Sequence, residues 1–130
     1  MVVCDTHALI FDALDPKRLG ANAAAAIEQA HRAGELACAD ISLWEIAMLM
    51  DKGRLWVDAP AEEFLTALVS ARGLAVLSIT PGIAALAASG RLAHGDPADR
   101  LIAATAIANN ASLITRDRRL AGLPGLQTIW

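Results

Sequence analysis

Short unbroken apolar runs alternate along this chain with stretches in which apolar residues recur every three or four positions. Residues 1–5 open with Val2-Val3-Cys4 ahead of Asp5. A β-branched run of that kind, without polar alternation, reads as a strand buried on both faces. A helix is expected over Thr6 to Leu14, ended by Asp15-Pro16, because the residue before a proline is steered out of the α region. After a loop at Gly20, the Ala-rich stretch Asn22 to Ala33 places Ile27 and Ala30 on one face, and Gly34 suits its C-cap. Glu35 to Ala39 read as a second strand. Ser42-Leu43-Trp44-Glu45 fits the capping box Ser-x-x-Glu, which places a helix start at Ser42, an end near Asp51 and a stop at Gly53. Pro60 suits the first turn of a helix that ends at Gly73. Leu74 to Ile79 form a third apolar strand, and Thr80-Pro81 open a helix with Ile83 to Leu92. Asp96-Pro97 open another through Ala108. Leu113 to Thr115 make a fourth strand, and Gln127 to Trp130 a short fifth.

Strands alternating with helices imply a parallel sheet covered on both faces. The expected architecture is therefore α/β, a three-layer α/β/α fold with a central parallel sheet, in a single domain over residues 1–130. Ligands of such sheets bind beyond the carboxyl ends of the strands. No internal repeat, linker or low-complexity tract interrupts the pattern.

Composition narrows the classes. The chain has 130 residues, 55% of them apolar, enough for a real core and too many for disorder. No apolar stretch reaches the ~20 residues that span a bilayer, and Met1-Val2-Val3-Cys4-Asp5 lacks the basic-then-apolar character of a leader. A cytoplasmic protein without membrane contact is expected. The net charge of −3 argues against a general polyanion binder. Arg100, Arg116, Arg118 and Arg119 nevertheless offer local phosphate contacts, Arg100 and Arg116 foremost; the alternative is a solvated surface role. Cys4 and Cys38 fall in apolar strands with no zinc or redox spacing, so buried free thiols are expected.

Four acids stand where this architecture would gather them. Asp5 and Asp117 follow strands; Glu45 and Asp99 lie in first turns of helices. At about 4 Å, each like-charged pair costs roughly 4 kcal/mol at an effective dielectric of ~20. A cleft built that way calls for a hard divalent cation with oxygen ligands. Each acid also has an ordinary structural role open to it. Asp5 could cap the helix at Thr6, Glu45 could close its own capping box, Asp99 suits the helix dipole, and Asp117 could pair with an arginine in a turn. His7 and His94 could reach the cleft, while Trp44, Trp56 and Trp130 read as core or interface packing. The chain lacks a Gly-x-x-x-x-Gly-Lys loop, a Gly-x-Gly-x-x-Gly turn and a Gly-x-Ser-x-Gly elbow, which argues against nucleotide binding and serine-hydrolase chemistry.

In order, Val3-Cys4-Asp5-Thr6-His7-Ala8-Leu9, Ser42-Leu43-Trp44-Glu45-Ile46-Ala47 followed by Lys52-Gly53-Arg54-Leu55, His94 through Ala103, and Leu113-Ile114-Thr115-Arg116-Asp117 resemble the four motifs of PIN-domain ribonucleases of the VapC toxin type. The resemblance implies a PIN-like fold and metal-binding catalytic acids at Asp5, Glu45, Asp99 and Asp117. Asp5 and Asp99 would make direct contact and Asp117 would act through water. Asp96 would be an additional acid, and Thr6 and Thr115 orienting groups. It implies a magnesium-dependent endoribonuclease, with manganese as a substitute, that leaves 5′-phosphate and 3′-hydroxyl ends. It also implies RNA as substrate, a small cognate antitoxin as partner, and a homodimer. Gly95, Ala98, Met48 and Met50 depart from the family pattern. The competing classes are a catalytically silent binding module of the same fold, a DNA-directed nuclease, and a phosphoacceptor receiver domain. The last wants a lysine after a late strand, where this chain has Thr115-Arg116-Asp117.

Overall fold

The computed structural model describes residues 1–92 and 95–130. Five strands, β1 (Val2–Cys4), β2 (Leu36–Ala39), β3 (Ala75–Leu77), β4 (Ser112–Ile114) and β5 (Thr128–Ile129), form one sheet in the order β3-β2-β1-β4-β5. All four pairings are parallel. Seven α-helices are described: α1 (Thr6–Leu14), α2 (Ala21–Ala33), α3 (Asp40–Asp51), α4 (Ala61–Arg72), α5 (Pro81–Ala88), α6 (Pro97–Ala108) and α7 (Arg118–Ala121). A 3-10 turn at Pro16–Arg18 follows α1.

The strands carry apolar residues on both faces because both faces are covered. Val3, Ala37, Ala39 and Leu113 point into a core shared with Ile83, Ala87, Ile102 and Leu120 from α5, α6 and α7. Their neighbours Cys4, Leu36, Cys38 and Ile114 point the other way, onto Leu9, Ile27, Ile46 and Leu68 from α1, α2, α3 and α4. This is period-2 geometry with no polar face, as a parallel sheet requires. Arg72 ties the outer layer together. Its Nε and Nη2 donate to the two carboxylate oxygens of Asp12 at 2.9 and 2.8 Å, and Nη2 also reaches Glu28 at 2.8 Å, joining α4 to α1 and α2.

Several boundaries differ from expectation. α2 ends as anticipated on Gly34 in the left-handed conformation (φ 69°). α3, by contrast, starts at Asp40 behind Ala39, with no side-chain cap. Ser42 is thus inside the first turn and is not a cap. α5 stops at Ala88, short of Leu92, with the Ser89 hydroxyl bonded back to the Leu86 carbonyl at 2.7 Å. β3 is an edge strand whose side chains are mostly exposed, although its sequence is as apolar as the central strands. Trp44 and Trp56 are 59% and 81% exposed, which excludes the core half of the expected core-or-interface role. Trp130 does pack, with its ring 6.2 Å from Phe11 and its backbone against Gly20. Cys4 and Cys38 are buried and free, side by side in the β1–β2 register. Burial pushes both thiols well above their ordinary range, Cys38 to about 11.

Candidate active site

The chain builds outward from β1 in one direction through β2 and β3, then in the other through β4 and β5. The reversal falls between β1 and β4, and parallel α/β sheets bind their ligands beyond the carboxyl ends of the strands at such a switch point. Asp5 leaves β1 at that end, and Thr115, Arg116 and Asp117 leave β4 beside it.

Asp5 is 9% exposed. Its Oδ1 accepts the Ala8 N–H at 2.8 Å, so it caps α1. The capping role and a ligand role are compatible, because a carboxylate has about four acceptor sites and the cap uses one. Thr115 is close enough to Asp5 to lower its carboxyl, and Thr115 Oγ1 accepts the Asp117 N–H at 3.1 Å. Thr115 is thus a common neighbour of Asp5 and Asp117. Asp117 in turn caps α7 through the Arg119 N–H at 2.9 Å, and the Arg119 guanidinium lies 3.4 Å from its carboxylate.

A second hydroxyl organises Glu45. Thr6 Oγ1 lies 2.5 Å from Glu45 Oε1 and 3.0 Å from Ser42 Oγ. A threonine has one hydroxyl proton and an ionised carboxylate has none. Thr6 therefore donates to Glu45 and accepts from Ser42. With α3 beginning at Asp40, Ser42 and Glu45 stand three residues apart on one face of the helix, the face turned to Thr6. The capping-box explanation of Glu45 is thereby removed: its bond runs across the fold to α1, not back to its own helix terminus. Ser42, fully buried, is a member that sequence reading missed except as a cap. The i, i+3 spacing was the available signal.

Asp96 caps α6 through the Ala98 N–H at 2.9 Å. Asp99 follows in the first turn of α6, half-buried, on a helix that packs against α3. His94 lies outside the described residues. Arg116 is exposed, whereas Arg100 is half-buried on α6.

The acids feel one another. Burial raises the Asp5 carboxyl above its ordinary range, and the charge of Asp117 adds to this. Thr115, the Ala8 hydrogen bond and the nearby His7 pull the other way. Burial likewise raises Glu45, against the Thr6 hydrogen bond and His7, with Asp96 and Asp5 contributing repulsion. Asp5, Glu45, Asp96 and Asp117 thus share one region of negative potential. Among the described residues, no three His, Cys, Asp or Glu side chains stand ready-made as a metal cage. An oxygen-only donor set in which burial raises Asp5 and Glu45 nevertheless fits magnesium, which keeps several waters and takes only one or two carboxylates directly. A cation there would offset both the burial and the mutual repulsion.

A sequence model of the family described as PIN domain matches residues 2–126. The chain belongs to the PIN-domain family. Within it, the chain is 39% identical over 132 aligned positions to Ribonuclease VapC22 of Mycobacterium tuberculosis, covering 99% of this chain and 98% of that protein. The PIN fold recurs in VapBC2 from Rickettsia felis, solved bound to a DNA fragment from its promoter. There the TM-score is 0.69 at 19% identity, covering 98% of this chain and 97% of that one. It recurs again in a toxin–antitoxin complex from Klebsiella pneumoniae, with TM-score 0.66 at 24% identity over 97% and 95% of the two chains. Among the described residues of this PIN domain, no helix is long and apolar enough to cross a membrane.

Proposed function

We propose that this PIN domain is a magnesium-dependent endoribonuclease, the toxin of a toxin–antitoxin pair, that hydrolyses RNA phosphodiester bonds. The observation that carries the reading is the gathering of Asp5, Glu45, Asp96 and Asp117 into one region of negative potential, with Thr6 bonded to Glu45 and Thr115 beside Asp5. Its near full-length likeness to a VapC ribonuclease supports the substrate class. Magnesium or manganese, held by Asp5 and Asp99 directly and by Glu45 and Asp117 directly or through water, would lower the pKa of bound water and stabilise charge on the phosphate. Asp96 stands at the rim of the same region as a helix cap.

The protein's own contribution is orientation. Asp5 is fixed by the Ala8 N–H, so its carboxylate is preorganised and loses little freedom on ligation. Thr6 holds Glu45 Oε1 and leaves Oε2 for ligation or for a proton released by attacking water. Arg116, exposed beside Asp117, would meet the substrate phosphates.

A small antitoxin covering the acidic end, with an arginine paired to the acids, belongs to the same reading, as does a homodimer. Sizing that returns only monomer at micromolar concentration removes the dimer. The catalytic reading is tested with the purified chain and single-stranded RNA. Cleavage to 5′-phosphate and 3′-hydroxyl ends, abolished by chelator and restored by magnesium, is expected. Cleavage indifferent to chelator overturns it, and cleavage confined to DNA reassigns the substrate.

A further inference from the structure

Phe11 on α1 is only 3% exposed, yet two guanidinium groups rest on its ring. The Arg18 Cζ lies 4.3 Å from the ring centroid and the Arg116 Cζ 4.9 Å. His7 approaches the same ring at 6.1 Å between centroids. Arg18 belongs to the 3-10 turn after α1, and Arg116 to the segment leaving β4, one residue before Asp117. Arg18 and Arg116, far apart in sequence, are thus gathered into one cationic ridge that ends one residue before Asp117.

Arg119, by contrast, lies against Asp117. Arg18 and Arg116 are exposed, and among the described residues neither is ion-paired with a carboxylate. A guanidinium is attracted to the face of an aromatic ring, so the Phe11 ring holds both groups beside one another in a chain whose net charge is −3. Such a pair is preorganised for an anion, and a planar guanidinium fits phosphate oxygens two at a time.

We propose that Arg18 and Arg116, braced on Phe11, bind the phosphates of the RNA strand flanking the bond to be cut, and so set the strand's path across the acidic end. This rests on the nuclease reading above and adds Arg18 and Phe11 to it. The acids repel an approaching strand, and the ridge supplies the compensating attraction at their edge. Arg18 and Arg116 act here as binding residues, and Phe11 as a positioning residue.

The test uses a fluorescein-labelled single-stranded RNA of mixed sequence and the full chain carrying Asp5→Asn, read by anisotropy across a series of KCl concentrations. Each phosphate contact to a single strand contributes about 0.7 to the slope of log K against log salt. The double variant Arg18→Gln, Arg116→Gln is expected to bind at least about tenfold more weakly, with a slope lower by about 1.4. In the background with Asp5 intact, it should raise KM more than it lowers kcat. Phe11→Leu should weaken binding while keeping most of the salt slope, because it removes the brace and not the charges. Unchanged RNA affinity and slope in a double variant that melts like its parent overturn the proposal, including the outcome in which an acidic peptide loses binding instead. A wild-type chain that binds RNA through these arginines but never cuts it would sink the catalytic reading and leave the ridge standing.

Discussion

Asp5 combines two roles that substitution can separate. Its Oδ1 caps α1 at 2.8 Å from the Ala8 nitrogen, and its charge sits in a site where burial and Asp117 disfavour ionisation. Asp5→Asn keeps a capping oxygen and removes the charge; Asp5→Ala removes both. Loss of an Asp cap, which leaves the Ala8 N–H without its acceptor, costs about 1 kcal/mol. Asp5→Ala should therefore be less stable than Asp5→Asn by about 1 kcal/mol in urea unfolding at pH 7 without metal. Asp5→Asn should equal or exceed wild type, because it relieves the buried charge. The pH dependence follows from the raised folded-state pKa. The penalty on the ionised carboxylate is fully present above that pKa and disappears as pH falls through it toward the unfolded value. Metal-free wild type should thus gain on Asp5→Asn when the pH is lowered from 7 into the carboxylate range. RNA cleavage should fall at least ~100-fold in both variants, the scale of losing a principal group of a catalytic site. Equal destabilisation by Asn and Ala, or full cleavage by Asp5→Asn, would refute this division of roles.

Two further outcomes follow from the geometry. Thr6→Val removes the hydroxyl shared by Glu45 and Ser42 and strands a buried Ser42 hydroxyl; it should cost about 1–3 kcal/mol in urea unfolding and depress cleavage, while Thr6→Ser restores both. Gly20→Ala would place a Cβ 2.5 Å from the Trp130 carbonyl carbon and 2.7 Å from its Cδ1. The clash should displace Trp130 from Phe11, shift the tryptophan emission and lower stability by about 1–3 kcal/mol.

The layer architecture was legible because parallel strands buried on two faces leave an unmistakable pattern: Val2-Val3-Cys4 and Leu113-Ile114 carry no polar residue to place outward. Helix ends marked by Gly34, Gly73 and Asp96-Pro97 were equally readable, since each cap is a local chemical choice. What the string could not reveal was set by tertiary packing. Ser42-x-x-Glu45 has the spelling of a cap, and only the start of α3 at Asp40 turns those two side chains toward Thr6. β3 looks like a core strand, but its place at the sheet edge exposes it. The 3-10 turn and α7 are too short to carry a period, so the position of Arg18 beside Arg116 had no sequence signal.

The proposed divalent cation would draw together side chains from the ends of β1 and β4 and from α3 and α6. Manganese titrated into isotopically labelled protein, followed by paramagnetic broadening of assigned backbone amides, reads this directly. Selective loss of the amides at Asp5, Thr6, Glu45, Asp99 and Asp117, reversed by excess magnesium and absent in Asp5→Asn, is the predicted result. Broadening centred elsewhere, for example on Asp51 and Asp58, with the carboxyl ends of β1 and β4 untouched, would contradict it.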